Sequence, residues 1–551
     1  MLTVLFNWVY IFLTTFCLGQ GFAYAVEKKL NYQIKKMDSI LTAGLIITTV
    51  YSQIFSIFYK VELLANIFML TVCILIMIVL RKRIGQIIMT GFKECRISRK
   101  VVILVLIVLW SYFTSRGYMA YDSDLYHGQS IRWIEEYGVV KGLGNLHIRF
   151  AYNSSVFALS ALYSMRFLMG QSLHTINGFF ALVLSITVLD IADTWKRKKL
   201  PLSGYARAAA VYYLAVICDE VVSPSSDYAA MCMIFFIIIK WLDSLESKEE
   251  NDAVSPYALL CVCGVYALTL KLTAGLILIL VIKPAITLIR EKRFKEIALY
   301  IAMGIITAVP WLVRTVIISG WLLYPFPQLD LFSVDWKISA QKAATDAAEI
   351  KVWGRGLYDA ALADMPVTRW FPGWFSTMLS ASGKLLILAD IVSAAILILT
   401  LFFTVIKKKW QRLDYLLVLT AVLFSYLYWQ FSAPLLRYGY AYVLLLAVLT
   451  LGWVILELKK DKIIYFLLLV YGGYKLCMLI FYIYEVRLLP NYLWQKDYET
   501  YDVQAYEIAG ETFYYPIYGD RVGYDYFPAA PEKMELEFRG DGIKDGFRLL
   551  Y

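Results

Sequence analysis

Residues 101–110 read VVILVLIVLW, ten consecutive apolar positions with no polar side chain among them. No face of such a segment gains from contact with water, so its surroundings must be apolar on every side. The same character returns at 297–309, 385–406 and 436–456, stretches that approach the roughly 20 apolar residues needed to cross a bilayer as a helix. Across the chain 60% of residues are hydrophobic and only 17% charged, and the mean hydropathy is +0.62. Those values exclude an ordinary soluble globular protein. The reading is an all-α polytopic membrane protein.

Working outward, about fourteen transmembrane helices are expected, near 2–25, 38–58, 62–80, 101–115, 173–194, 204–219, 227–243, 256–270, 273–289, 297–318, 385–406, 412–430, 436–456 and 462–484. The first, lacking a basic region before it and followed by further spans, reads as a retained helix and not a signal peptide. Basic clusters at Lys28, Lys29, Lys35 and Lys36, then 81–83, 96–100, 196–199, 290–295, 407–409 and 459–462, mark cytoplasmic loops by the positive-inside rule. They also account for the net charge of +10, so no nucleic-acid partner is needed. The eight cysteines have no paired spacing and imply neither a disulfide framework nor a zinc site.

The resulting organisation is 1–115, N-terminal transmembrane helices; 116–172, a first outer loop; 173–318, a central transmembrane bundle; 319–384, a second outer loop; 385–484, C-terminal transmembrane helices; and 485–551, an extracytoplasmic tail. Counting 153–169 as a crossing would put the 196–199 cluster outside, so that segment is expected to lie in the interface as a juxtamembrane helix. The tail, rich in Tyr and Phe among charged residues, is expected to form a small α+β or β-rich cap with short strands.

Polar residues on the expected outer face are the candidates for chemistry. Asp122 and Asp124 follow the fourth span, in YDSDLYH with Tyr126 and His127; either carboxylate could cap the helix expected from about 125 to 137, or serve a reaction. All three histidines, His127, His147 and His174, fall in or at the end of the first outer loop, with Arg149 beside the second. Hydrogen bonding to a polar substrate is the economical role for them, and a divalent metal held by the histidines with Asp124 stays open. Asp227, after the sixth span, is either an N-cap or part of the same acidic face. Lys271, Arg314 and Arg437 complete the set, with Tyr438 adjacent to the last; Lys271 and Arg314 stand in apolar sequence, where charges are costly and usually line a cavity. Carboxylates beside cations suit transfer of a sugar from a lipid phosphate: one accepts a proton while the cations stabilise the departing phosphate.

In the order DSDLYH, SPSSDYAAMCMIFF (223–236), LTLKLTAG (268–275), PWLVR and SGWLLYPF (310–326) and LLRYGY (435–440), the chain resembles the GT-C superfamily of membrane glycosyltransferases, which includes protein mannosyltransferases and bacterial aminoarabinose transferases. GLGNLHIRFAYNSS also looks like multi-pass proteins of bacterial surface-polysaccharide clusters. The resemblance implies a polyprenyl-phosphate sugar donor, an extracytoplasmic glycan, lipid or protein acceptor, Asp122 or Asp124 as base, and an active site facing outward from a bacterial cytoplasmic membrane. The chain departs from the superfamily pattern by inserting Ser123 between its acidic residues and by three spans ahead of the usual first one. A surface-polysaccharide polymerase, or a flippase of lipid-linked saccharides, is the alternative; with no internal repeat, an inverted-repeat transporter has no positive support.

Overall fold

The computed structural model describes residues 1–191, 201–247, 253–406, 413–457, 466–467, 470–474, 477–478, 481 and 492–549. Ten of its helices are long and apolar enough to cross a membrane: Leu2–Leu30, Met37–Phe58, Leu63–Gly91, Ile97–Arg116, Ser226–Glu246, Leu272–Arg290, Phe294–Ser319, Ala381–Thr404, Leu413–Phe431 and Leu436–Leu456. This is the architecture of a helical multi-pass membrane protein. Three more of the expected spans correspond to shorter apolar helices, Ile176–Val188, Leu202–Ile217 and Ser255–Leu270. The first two are buried along most of their length, and all three pack against Ser226–Glu246, so backbone beyond their ends can be satisfied by protein where lipid could not do so. The span expected at 462–484, and the basic clusters at 196–199, 407–409 and 459–462, lie largely or wholly outside the described residues.

Burial separates two kinds of helix. Leu63–Gly91, Ile97–Arg116 and Ala381–Thr404 keep large side chains such as Leu75, Val79, Leu104 and Phe402 exposed, as a lipid-facing helix would. Ser226–Glu246 instead is buried on all sides, packed against Ile176–Val188, Leu202–Ile217, Ser255–Leu270 and Leu436–Glu457. Whatever stands at the head of that central helix is therefore enclosed by the others.

The helix expected in the 153–169 segment is enclosed by the rest of the protein. That helix, Ser155–Tyr163, is buried at every residue and inserted into the bundle, where the Ala158 carbonyl accepts from Ser52 Oγ (2.5 Å), Leu162 from Asn66 Nδ2 (3.1 Å) and Tyr163 from Asn7 Nδ2 (2.8 Å). The physical reason is that SVFALSALY has no charged face to present to headgroups, and an all-round apolar helix goes inside. Arg166, the one charge, lies beyond a break at Ser164 and Met165 and pairs with Glu136.

The tail is a cap of two antiparallel two-stranded sheets, Val503–Ile508 with Glu511–Pro516 and Leu536–Phe538 with Phe547–Leu549. Its apolar side chains Tyr506, Ile508, Phe513, Phe538 and Phe547 share one core with Trp133, Val140, Leu143, Leu146 and Phe150 of the 116–172 loop. Polar contacts fix the docking: Arg132 donates to the Tyr524 and Asp525 carbonyls (both 2.6 Å), and Gln129 Nε2 to Tyr526 (2.8 Å). Two hairpins this small would be marginal alone. The loop supplies the missing half of their core.

Candidate functional site

At the head of the central helix, Ser225 provides the N-cap, its hydroxyl accepting from the Asp227 N–H (3.3 Å). Asp227 is therefore not the cap, and its carboxylate is free to point into the bundle. It receives the Lys271 ammonium on one oxygen and the Arg437 guanidinium on the other, Nε at 3.0 Å. Lys271 can reach it because the chain breaks there: Ser255–Leu270 ends, Lys271 is extended, and a 3₁₀ segment, Leu272–Val281, follows. Arg437 stands at the start of Leu436–Glu457 and bridges to a second carboxylate, Asp122. Tyr438 lies under both cations, its ring centroid 3.6 Å from Lys271 Nζ and 5.3 Å from the Arg437 guanidinium carbon. The result is a chain of alternating charge, Asp122, Arg437, Asp227, Lys271, drawn from four separate segments.

Exposure separates the two carboxylates. Asp227 keeps 4% of its side chain accessible and Asp122 25%. Asp227 thus serves as an internal counterion, and Asp122 is the carboxylate that a ligand could touch.

Asp124 faces elsewhere. It is 2% exposed, its carbonyl accepts from Val522 (3.0 Å) and Gly523 (2.9 Å), and its carboxyl accepts from the Glu499 N–H (3.3 Å) and the Tyr501 hydroxyl (3.1 Å). Neither aspartate makes a side-chain cap: residues 123–127 form a π-helical turn with no side-chain hydrogen bond at its start, leading straight into Gly128–Glu136. The two acidic residues are thus divided between the charge cluster and the cap.

The histidines, expected as a group, have three different surroundings. His127 adjoins the cluster, its ring 4.3 Å from Tyr126 and 5.3 Å from Phe157, and burial lowers its pKa to about 4, so it is neutral at pH 7. His147 packs edge-on to Phe150 at 5.6 Å and is lowered to about 3, by burial and then by Arg149. His174 sits with Ser172 and the Tyr498 ring, beside the cap. Among the described residues no group of three or more His, Cys, Asp and Glu is placed to hold a metal ion. A site combining the histidines with Asp124 is therefore not assembled.

Two expected cations are bound differently from Lys271 and Arg437. Arg149 pairs at 3.1 Å with Asp346, a residue of the helix Ala340–Arg355 that was not foreseen, whose carboxyl also accepts from the Tyr152 and Tyr324 hydroxyls. Burial pushes the Asp346 carboxyl up and the Arg149 charge opposes that shift. Arg149 is still near enough to act electrostatically on Tyr126 and Tyr438, so it borders the cluster. Arg314, 1% exposed, is held by Asn153 Oδ1 (3.1 Å) and Ser56 Oγ, and no carboxylate among the described residues pairs with it. It ties the 116–172 loop to the bundle and stands apart from the chain of charges.

Asp124 gives a pH prediction. Burial raises its pKa from the usual 3.8 to about 6, with Tyr501 and the Glu499 N–H pulling the other way. The docked cap therefore binds this proton more tightly than a released one. Its contribution to docking is full below about pH 4, falls as pH rises through about 6, and is constant above. Glu135, raised by burial and bonded to Tyr524 and Ser172, acts in the same direction. Hydrogen exchange over 499–525, corrected for intrinsic rates, should show more protection at about pH 5 than at about pH 7.5. Asp124→Asn should remove part of that difference. Equal protection at both pH values would refute the assignment.

No curated protein and no solved structure matches this chain. Over residues 1–444 it matches a family described as a domain of unknown function, DUF8201. The match spans Asp122, Asp227, Lys271, Arg437 and Tyr438 and ends before the cap. The chain therefore belongs to the DUF8201 family.

Proposed function

We propose that the protein is an inverting membrane glycosyltransferase that moves a sugar from a polyprenyl-phosphate donor to an extracytoplasmic acceptor in cell-surface glycan assembly, with the cluster on the outer side of a bacterial cytoplasmic membrane. The observation that carries this reading is the arrangement of Asp122, part-exposed and paired with Arg437, beside two cations that share the buried Asp227. The GT-C resemblance motivates this reading, the positive-inside order of the basic loops supports the outward face, and all fourteen expected spans belong to it.

The chemistry follows from the pairing. A donor phosphate entering beside Arg437 competes with Asp122 for the guanidinium, since a phosphodiester offers two oxygens in the same bidentate geometry and gains charge as the sugar leaves. Once released, the Asp122 carboxylate accepts the proton of the acceptor hydroxyl as that oxygen bonds to the anomeric carbon. The bond from that carbon to the phosphate oxygen breaks, its electron pair leaving with the lipid phosphate, whose growing charge Arg437 and Lys271 stabilise. His127, neutral, and Tyr126, whose phenol burial keeps protonated, are hydrogen-bonding groups for the sugar.

The test is transfer from labelled polyprenyl-phosphate sugars by the purified protein in lipid. A single labelled sugar added to an acceptor fulfils the expectation. Stepwise chain growth would identify a polymerase, and exchange of intact donor between leaflets without transfer a flippase.

A further inference from the structure

Away from the charge cluster, Ala381–Ile406 presents a second ionisable site. This helix exposes Leu385, Leu388, Ile391, Val392, Ile398, Leu399, Phe402 and Phe403 and packs along one stripe, Ile387, Asp390, Ser393, Leu397 and Thr404. A carboxyl on the packed stripe of an otherwise lipid-facing helix is costly, and any apolar residue would serve packing better. Asp390 is fully buried, and neither of its oxygens has a side-chain partner among the described residues.

Its neighbours are also unsatisfied. Gly383 lies against Leu436 and Asp390 against the backbone of Ala447, so Ala381–Ile406 and Leu436–Glu457 run in the same direction. One turn further along each helix stand Ser393 and Thr450, and both hydroxyls are buried without a partner among the described residues. Thr307, Thr315, Ser319, Thr400 and Ser425 all donate to the carbonyl four residues back. Ser393 and Thr450 do not, which leaves their oxygens available between the helices.

The geometry points to a site for a dehydrated monovalent cation between these two helices, bound by the Asp390 carboxylate and the Ser393 and Thr450 hydroxyls. One carboxylate balances one positive charge, so the loaded site is neutral and tolerable in apolar surroundings. Oxygen-only ligands suit a hard ion. A proton alone would satisfy one carboxyl oxygen and leave two buried hydroxyls idle. Bound in this way, the ion would fasten a peripheral helix to the one whose first turn carries Arg437.

The test uses the full-length protein in lipid nanodiscs, with sodium as the probe. At constant ionic strength, replacing N-methylglucamine by sodium should raise the thermal unfolding midpoint saturably, on the order of 3 °C at a large excess over Kd. Asp390→Asn, similar in size, should abolish that rise, and Ser393→Ala should move it to higher sodium. Radiolabelled sodium should bind wild type and not Asp390→Asn. A flat response in wild type, or a rise that persists in Asp390→Asn, would overturn the site and leave a protonated carboxyl in its place.

Discussion

Asp122→Asn should lower sugar transfer by roughly 10²–10⁴-fold, the usual contribution of a positioned general base, while Asp124→Asn leaves the rate near wild type. Single-turnover transfer in lipid measures both. The asymmetry is what makes the pair informative, because the two residues stand two apart and are chemically identical. Asp122 touches Arg437 and keeps a quarter of its side chain accessible, whereas Asp124 is spent on the Glu499 N–H, Tyr501 and the docking of the cap. The amide in Asp122→Asn keeps the size but competes less for Arg437, so donor binding should hold or tighten and the loss should fall on the chemical step. If Asp124→Asn proved the inactive variant and Asp122→Asn the active one, the cap and not the charge cluster would hold the reaction.

That division was half legible in the sequence. On a helical turn, residues two apart point to nearly opposite sides, so only one of Asp122 and Asp124 could ever join a given cluster. Which one depends on where the cap docks, and the cap lies more than 370 residues away along the chain. Asp227, Lys271, Arg437 and Tyr438 were legible because each is polar at the edge of an apolar run, where a charge needs a reason. Asp346 was not. It lies in AQKAATDAAEI, an alanine-rich polar helix that reads as solvated. The three histidines illustrate the reverse error: neighbours in sequence, they are separated by the turns between Gly128–Glu136, Ser155–Tyr163 and Ile176–Val188. Arg314 satisfied the same rule as Lys271, yet its partners are neutral, since an arginine can bury its charge against amide and hydroxyl oxygens alone.

Asp227→Asn should be the most destabilising single substitution in the cluster, by about 3–5 kcal/mol, the cost of removing one partner from a buried ion pair. Lys271 loses its counterion outright, while Arg437 keeps Asp122. Thermal unfolding in lipid should register the loss. Adding Lys271→Met to Asp227→Asn removes the stranded charge, so the double variant should regain much of the stability, and the departure from additivity measures the pair. If the double variant is no more stable than Asp227→Asn, Lys271 has another anion and the pairing is not what holds it. Activity separates the two roles of Lys271. A purely structural lysine predicts that the rescued double variant transfers sugar again. A lysine that stabilises the leaving phosphate predicts a folded protein that still binds the donor through Arg437 and turns it over slowly. The second outcome is expected, because Asp122, Arg437, Asp227 and Lys271 balance one another until a donor phosphate arrives, and Lys271 is then the second cation beside the charge that grows on the leaving group.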